Sequence, residues 1–338
     1  MNATAGSIGI AIAGLAAAAA SAQTGPSVDC AKATTAIEKV ICGNPEAAAA
    51  DRKMADAYGK RLESLTDAAA RDHLQRDQTA WLADRQRMCA GQQGDEIAAC
   101  QGDLAEQRAD WLAALPTGAD YPFIADRRLT EEGRRGGTPY RIAVSYPVFE
   151  RPGIDYAQAN AAIKGWADKF AAQMRPSPQG DNGVAGVGWF FESGHVIQIV
   201  RPRLATVDAD WMAYGGGAHP NSGRTAWHVE LTTGRLLDLD DILDRASGWA
   251  DAITSLVRAD LKKQFEERPG FEEALAPAEL RKLVIVPGRW VFTDDKVTLT
   301  FDPYAVGPYA AGPYEVELTY ATLAPYIRKD GPLGTKAR

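Results

Sequence analysis

All four cysteines of this 338-residue chain, Cys30, Cys42, Cys89 and Cys100, fall in its first third, as two pairs 12 and 11 positions apart. That placement restricts the possible folds more than any other feature. Four-thiolate zinc sites are usually framed by C-x2-4-C knuckles, and these gaps are too wide for one. Disulfides are the expected chemistry, and with them an oxidising compartment. Four cysteines allow three connectivities. The expected one is sequential, Cys30 to Cys42 and Cys89 to Cys100, closing two short loops at the ends of predicted helices. Each closure is worth roughly 3 kcal/mol in the loop-entropy model.

Ahead of the cysteines, Ile8 to Ala20 is an apolar, Ala-rich run that leads into Ala20-Ser21-Ala22, a small-x-small pattern of the kind cut by signal peptidase. Residues 1–22 read as a signal peptide, too short and too Ala-rich for a good membrane span. No cysteine stands at the cleavage point to carry a lipid. No later stretch approaches the roughly 20 apolar residues of a membrane helix. The expectation is a periplasmic or secreted protein, soluble once the signal peptide is removed and without a membrane span.

Two domains are expected. Residues 23–118 read as an all-α, disulfide-stapled helical hairpin or bundle. Thr34-Thr35-Ala36-Ile37-Glu38 starts a short helix that Gly43-Asn44-Pro45 stops. Met54, Tyr58, Leu62 and Leu65 then recur at helical spacing, as do Leu74, Gln78, Trp81, Leu82 and Met88. A last helix carries Leu104, Arg108, Trp111 and Leu112 and ends at Pro116. Arg and Asp residues at i, i+4 spacing read as a solvated helix face. Residues 119–330 read as an α+β domain with a mostly antiparallel sheet, and 331–338 as a tail. Its strands are expected at Tyr140–Val148, Val187–Phe191, His195–Arg203, Trp227–Leu231, Arg235–Leu237, Arg289–Phe292, Lys296–Phe301 and Tyr314–Tyr320. Glu192-Ser193-Gly194 and Thr232-Thr233-Gly234 are expected as turns. Helices are expected from Tyr156 to Met174 and Trp249 to Glu267.

The chain carries 37 Lys plus Arg against 44 Asp plus Glu, a formal charge of -7. A nucleic-acid binder needs a positive surface to displace counterions, so no nucleic-acid partner is expected; a cationic partner suits the charge better. No G-x-S-x-G elbow, P-loop, H-E-x-x-H or dinucleotide fingerprint is present. No catalytic residue, cofactor or metal site is therefore assigned. His219 and His228 could meet across a turn, but a lone pair of histidines more often sits together incidentally. Asp240-Asp241 and Asp294-Asp295 fit a helix start and a hairpin turn.

Two segments are less ordinary. Tyr214-Gly215-Gly216-Gly217-Ala218-His219-Pro220-Asn221 packs three glycines, a His and a Pro before a strand, either a tight bend or a place of close approach. Between two strands, Pro303-Tyr304, Pro308-Tyr309 and Pro313-Tyr314 place three Pro-Tyr pairs in 12 positions. Proline stiffens such a loop and tyrosine offers a large face with a polar tip. The alternative is a corner whose tyrosines pack back on the sheet. Tyr214, His219, Pro220, Pro303, Tyr304, Pro308 and Tyr309 are the candidate partner-binding residues.

Asp29-Cys30, Ile41-Cys42, Leu62, Gln78, Trp81, Cys89, Cys100 and Trp111 make residues 27–115 resemble the N-terminal domain of the LprI family of lysozyme inhibitors. The second half is similar to the extracellular region shared by RsiV-type anti-sigma factors and PdaC-type deacetylases. The residues that carry this likeness are Gly216-Gly217-Ala218-His219-Pro220-Asn221, Leu231 to Arg235, Leu239 to Leu243, Phe301 to Tyr304 and Pro308 to Gly312. The first resemblance implies lysozyme inhibition; the second implies lysozyme binding, as in RsiV. No deacetylase domain accompanies it, so that activity does not carry over. The expected function is a non-enzymatic, exported protein that binds and inhibits lysozyme-type muramidases. The alternative is a peptidoglycan-binding or cell-envelope assembly module, since exposed Trp and Tyr stack on sugar rings.

Overall fold

The computed structural model describes residues 28–89, 92, 94–116, 123–178 and 188–334; the expected signal peptide lies outside them. Helix α1 (Ala36–Gly43) starts on a capping box, Thr35 accepting from the Glu38 backbone N–H while the Glu38 carboxylate accepts from that of Thr35. Asn44 ends α1 and caps α2 (Pro45–Ser64), with proline at its first position, where the missing N–H costs nothing. Helices α3 (Ala68–Met88) and α4 (Asp95–Ala114) complete the bundle. The disulfides are sequential, Cys30–Cys42 and Cys89–Cys100, with Cα atoms 5.5 Å and 5.9 Å apart.

The bundle buries charge along its own core stripe. On α3 the buried face holds Leu74, Asp77, Gln78, Trp81 and Arg85. This corrects the expectation of a solvated Arg/Asp face for Asp51, Asp77, Arg85 and Arg108, all of which are buried. The reason is pairing between helices. Arg85 Nη1 donates to Asp51 at 2.5 Å, and Arg108 donates to Asp77 through Nη2 at 2.7 Å and to Gln78 through Nε at 3.0 Å. Both guanidinium groups also lie over the Trp81 ring. Helical period is kept, but some positions of the buried stripe are filled by a charge whose partner sits on another element.

A five-stranded sheet follows, in spatial order β1 (Phe123–Arg135), β2 (Thr138–Glu150), β3 (Trp189–Arg201), β4 (Leu204–Tyr214) and β5 (Asn221–Glu230). Only β2 and β3 run parallel, and the crossover they need is α5 (Ala157–Gln173). Ile142 and Val144 of β2 pack with Ala167 and Ala171 of α5, whereas the alternate residues Ala143 and Ser145 look toward α4. With side chains alternating across a strand, α5 covers one face and α4 the other.

Two readings of this region are corrected. Glu192-Ser193-Gly194 is no turn: β3 runs unbroken through it, Gly194 lying opposite Asp210 and the Ser193 hydroxyl donating to the Ser145 carbonyl. Arg235–Leu237 forms only an isolated bridge, Val229 to Leu236, rather than a strand. Strand β1 went unread because FIADRRLTEEGRR lacks an alternating pattern. It is an edge strand, where charge is the usual protection against further pairing.

The remaining chain is α6 (Leu239–Ile242), α7 (Trp249–Glu267), α8 (Pro277–Val284), β6 (Trp290–Phe292), β7 (Lys296–Phe301), β8 (Tyr314–Thr319) and α9 (Tyr320–Leu323), with β6-β7-β8 an antiparallel sheet. Its core joins Ile253, Val257 and Leu261 of α7 to Trp290, Phe301 and Tyr314. Leu333, placed in the expected tail, is buried in this same core. A separate cluster runs from Met54, Leu74 and Trp111 of the bundle into Ile124, Phe149 and Val207 of the large sheet. The bundle thus completes a core it is too small to build alone. Among the described residues, no helix is long and apolar enough to cross a membrane.

Candidate functional site: the glycine and Pro-Tyr loops

The glycine-rich segment links β4 to β5, and the Pro-Tyr segment links β7 to β8, so each belongs to a different sheet. The fold brings them together. His219 Nδ1 donates to the Pro220 carbonyl at 2.8 Å, which leaves Nε2 to accept from the Tyr304 hydroxyl at 3.1 Å. The His219 ring stacks on Tyr309 at 3.7 Å between centroids, and Tyr304 lies 5.8 Å from Tyr309. Tyr304 is 55% exposed, while His219, Pro220, Pro303, Pro308 and Tyr309 are half-buried.

Several anchors hold this cluster in place. Tyr214 is buried, and its hydroxyl donates to the Gly217 carbonyl at 2.9 Å, so it positions the glycine loop from beneath. Gly216 and Gly217 have φ of 91° and 109°, values that L side chains rarely adopt. At Gly223 a Cβ would lie 2.7 Å from Trp211 and 2.9 Å from Asp302, so only glycine lets β5 pass this close. Asp302 accepts from the Arg224 backbone N–H at 2.9 Å. Burial pushes its carboxyl above the usual range, against the pull of that N–H and of Arg289. Within the Pro-Tyr loop, Val306 is fully buried and its carbonyl accepts from Phe271 at 2.7 Å.

Tyr304 is the non-glycine residue with positive φ, 71°, among the described residues. Such a conformation costs of order 1–3 kcal/mol and persists where its surroundings over-determine it. Here the Tyr304 N–H donates to Gly307 and the Ala305 N–H to Asp302. The third pair behaves differently. Tyr314 belongs to β8, is fully buried, donates to the Pro269 carbonyl at 2.6 Å and lies under the Arg268 guanidinium. It is an anchor and not a tip.

Beside the aromatic cluster is a cavity of about 630 Å3 lined by Phe170, Met174, Trp211, Gly216, Arg289 and Tyr304, among others. The arrangement offers an exposed tyrosine, a half-buried aromatic stack and a pre-shaped cleft, which suits binding. Trp211, Arg289 and Asp302 were missed in the sequence because each lies on an element with an ordinary strand or turn pattern. Phe301-Asp302-Pro303 was the available signal for the last. His228 does not join His219. It is buried, with Nδ1 3.1 Å from the Thr206 hydroxyl and Nε2 3.1 Å from the Pro287 carbonyl. Among the described residues, no group of three or more His, Cys, Asp or Glu side chains could hold a metal ion.

Residues 30–112 match the family model described as lysozyme inhibitor LprI, and residues 240–321 match the model described as DUF3298, a protein family of unknown function. The chain joins an LprI domain to a DUF3298 domain. Both disulfides and all four bundle helices fall within or at the edges of the LprI match. The DUF3298 match takes in α7, β6 to β8 and the Pro-Tyr loop, while the glycine loop precedes it. The chain is similar to the crystal structure of a DUF3298 family member from Bacteroides fragilis NCTC 9343, at 17% identity and TM-score 0.43, covering 64% of this chain and 97% of that one. It is also similar to that of a DUF3298 family protein from Pseudomonas aeruginosa PAO1, at 20% identity and TM-score 0.40, covering 62% and 97%. The search of curated proteins finds no match to this chain.

Proposed function

We propose that this chain is an exported, non-catalytic protein that binds and inhibits lysozyme-type muramidases. The observation that carries the reading is the match of residues 30–112 to a family described as lysozyme inhibitors. The aromatic cluster of His219, Tyr304 and Tyr309 supports it as a contact surface, with Tyr214, Pro220, Pro303 and Pro308 holding its shape. Muramidases act with two carboxylates in a long sugar-binding cleft. Filling that cleft is sufficient for inhibition, and a loop already held in one conformation loses little entropy on entering it. C-type lysozymes are basic, so the net charge of -7 favours rapid, salt-sensitive association.

The deciding experiment is a cell-wall lysis assay of a basic C-type lysozyme with increasing amounts of the whole oxidised protein. Dose-dependent loss of lysis, weakened by salt, is expected. Full lysis at saturating protein, together with retention on purified peptidoglycan, overturns the reading in favour of a glycan-binding module.

A further inference from the structure

A larger cavity, about 940 Å3, lies between α4 and the five-stranded sheet; it takes Asp210 and Met212 of β4, where the cavity beside the aromatic cluster takes Trp211 and Ala213, so the two lie on opposite faces of the sheet. Its size falls within the range of small-molecule sites. The floor is polar and charged. Asp77 accepts from Arg108 Nη2 at 2.7 Å and from Arg127 Nη1 at 2.5 Å. Asp126 accepts from Arg128 Nη2 at 3.0 Å and lies 3.9 Å from Arg108 Nη1. Arg108, Arg128 and Asp126 face the cavity, while Asp77 and Arg127 lie behind its lining.

The same floor has unmet hydrogen bonds. Arg108 Nη1, Arg128 Nε and Trp111 Nε1 are shielded from solvent and have no acceptor among the described residues; Asp126 Oδ1 likewise has no donor. Arg108 is 1% and Trp111 7% exposed. Each orphaned buried group costs on the order of 1–3 kcal/mol. Several of them lining one cavity mark a site built for a ligand that supplies the partners. His195 stands at the edge of this group, its Nδ1 2.8 Å from the Ser145 hydroxyl and its ring 4.6 Å from Trp111. Burial lowers its pKa to about 4, so it adds no charge near neutral pH. The walls are apolar, with Met88, Leu104 and Ile197. Glu96, Asp103, Asp110, Glu192 and Asp210 also line the cavity, making its outer part acidic, and Glu192 is paired to Arg141 at 3.2 Å.

We propose that this cavity binds a short peptide that enters carboxylate-first. Its terminal carboxylate meets the spare N–H groups of Arg108 and Arg128. A peptide N–H donates to Asp126 Oδ1, and a cationic end rests among Asp103, Glu192 and Asp210. Those carboxylates disfavour polyanions, which separates a peptide from a phosphate or a nucleotide.

The test is calorimetric titration of the full oxidised protein with the tripeptide Lys-Ala-Ala as free acid and as C-terminal amide, in the absence of any muramidase. The free acid should bind about tenfold more tightly than the amide, or better, the scale of one charge-assisted hydrogen bond. Arg128→Gln should erase that preference. Val196, 51% exposed at the cavity, provides a variant outside the charge network. Val196→Trp should weaken the free acid several-fold while leaving thermal stability unchanged, and it decides the matter where Arg128→Gln fails to fold. Equal affinity for acid and amide, no binding of either, or wild-type affinity in Val196→Trp overturns the proposal.

Discussion

The imidazole of His219 and the phenol of Tyr309 stack with centroids 3.7 Å apart and planes 22° from parallel, joining a loop of the five-stranded sheet to a loop of the three-stranded one. The Tyr304 hydroxyl adds a hydrogen bond to the same imidazole at 3.1 Å. The glycine loop has positive-φ turns and little side chain, and the Pro-Tyr loop spans the gap between β7 and β8. Together they make a surface whose shape is set before any partner arrives.

Replacing Pro308 and Tyr309 together by Ala should weaken muramidase binding by roughly 2 kcal/mol or more, the scale of an interface hot spot. Thermal stability should change little, because both residues are half-buried and the loop stays anchored through Val306 and Tyr314. Calorimetry of the double variant against lysozyme checks this. Wild-type affinity would move the contact to the LprI domain.

Arg108→Met should cost about 3–5 kcal/mol, because it leaves the Asp77 carboxylate buried with half its compensation removed. Both side chains of that pair are wholly inaccessible to solvent. Adding Asp77→Leu to the same chain should recover part of the loss, since the pair is then replaced by apolar groups. Urea unfolding of the single and double variants gives the comparison; equal destabilisation would show that packing, and not charge, is what the network supplies.

Reduction of the oxidised protein should destabilise the bundle by roughly 3 kcal/mol per disulfide. Intact mass before reduction should show no free thiols, since both pairs are closed and no cysteine is free among the described residues. Cys89→Ala with Cys100→Ala should lower the melting temperature of the whole chain, because the bundle shares its core with the sheet. An unchanged melting temperature would refute that coupling.

Mild acid should destabilise the fold through a buried histidine. Burial lowers the pKa of His228 to about 4, against about 6.5 in an unfolded chain. Between those values the unfolded chain binds the proton and the native one does not, so stability is full above pH 6.5 and falls as pH drops toward 4. His228→Gln should flatten this part of the melting temperature profile measured between pH 7.5 and 4. A slope as steep as that of the wild type would assign the effect elsewhere.

Local chemistry decided a good deal of this molecule from the sequence alone. Cysteine spacing led to two sequential disulfides, Thr35 marks a real helix start, and α7 has the expected bounds, Trp249 and Glu267; Asn44, read as a stop, also caps the next helix. The glycine and Pro-Tyr segments stood out by composition. Tertiary structure decided what each of these meets. Asp77 and Arg108 occupy core positions because each supplies the other's countercharge from a different helix, and a one-dimensional pattern reads charge as solvent-facing. Ser193 and Gly194 continue a strand because β4 pairs with both and β2 with Ser193, a pairing that outweighs turn propensity. The stack of His219 on Tyr309, and the cavity under Trp111, exist only where separate elements converge. Contacts between distant residues depend on which surfaces the fold presses together, and neighbouring residues in the chain carry no record of that.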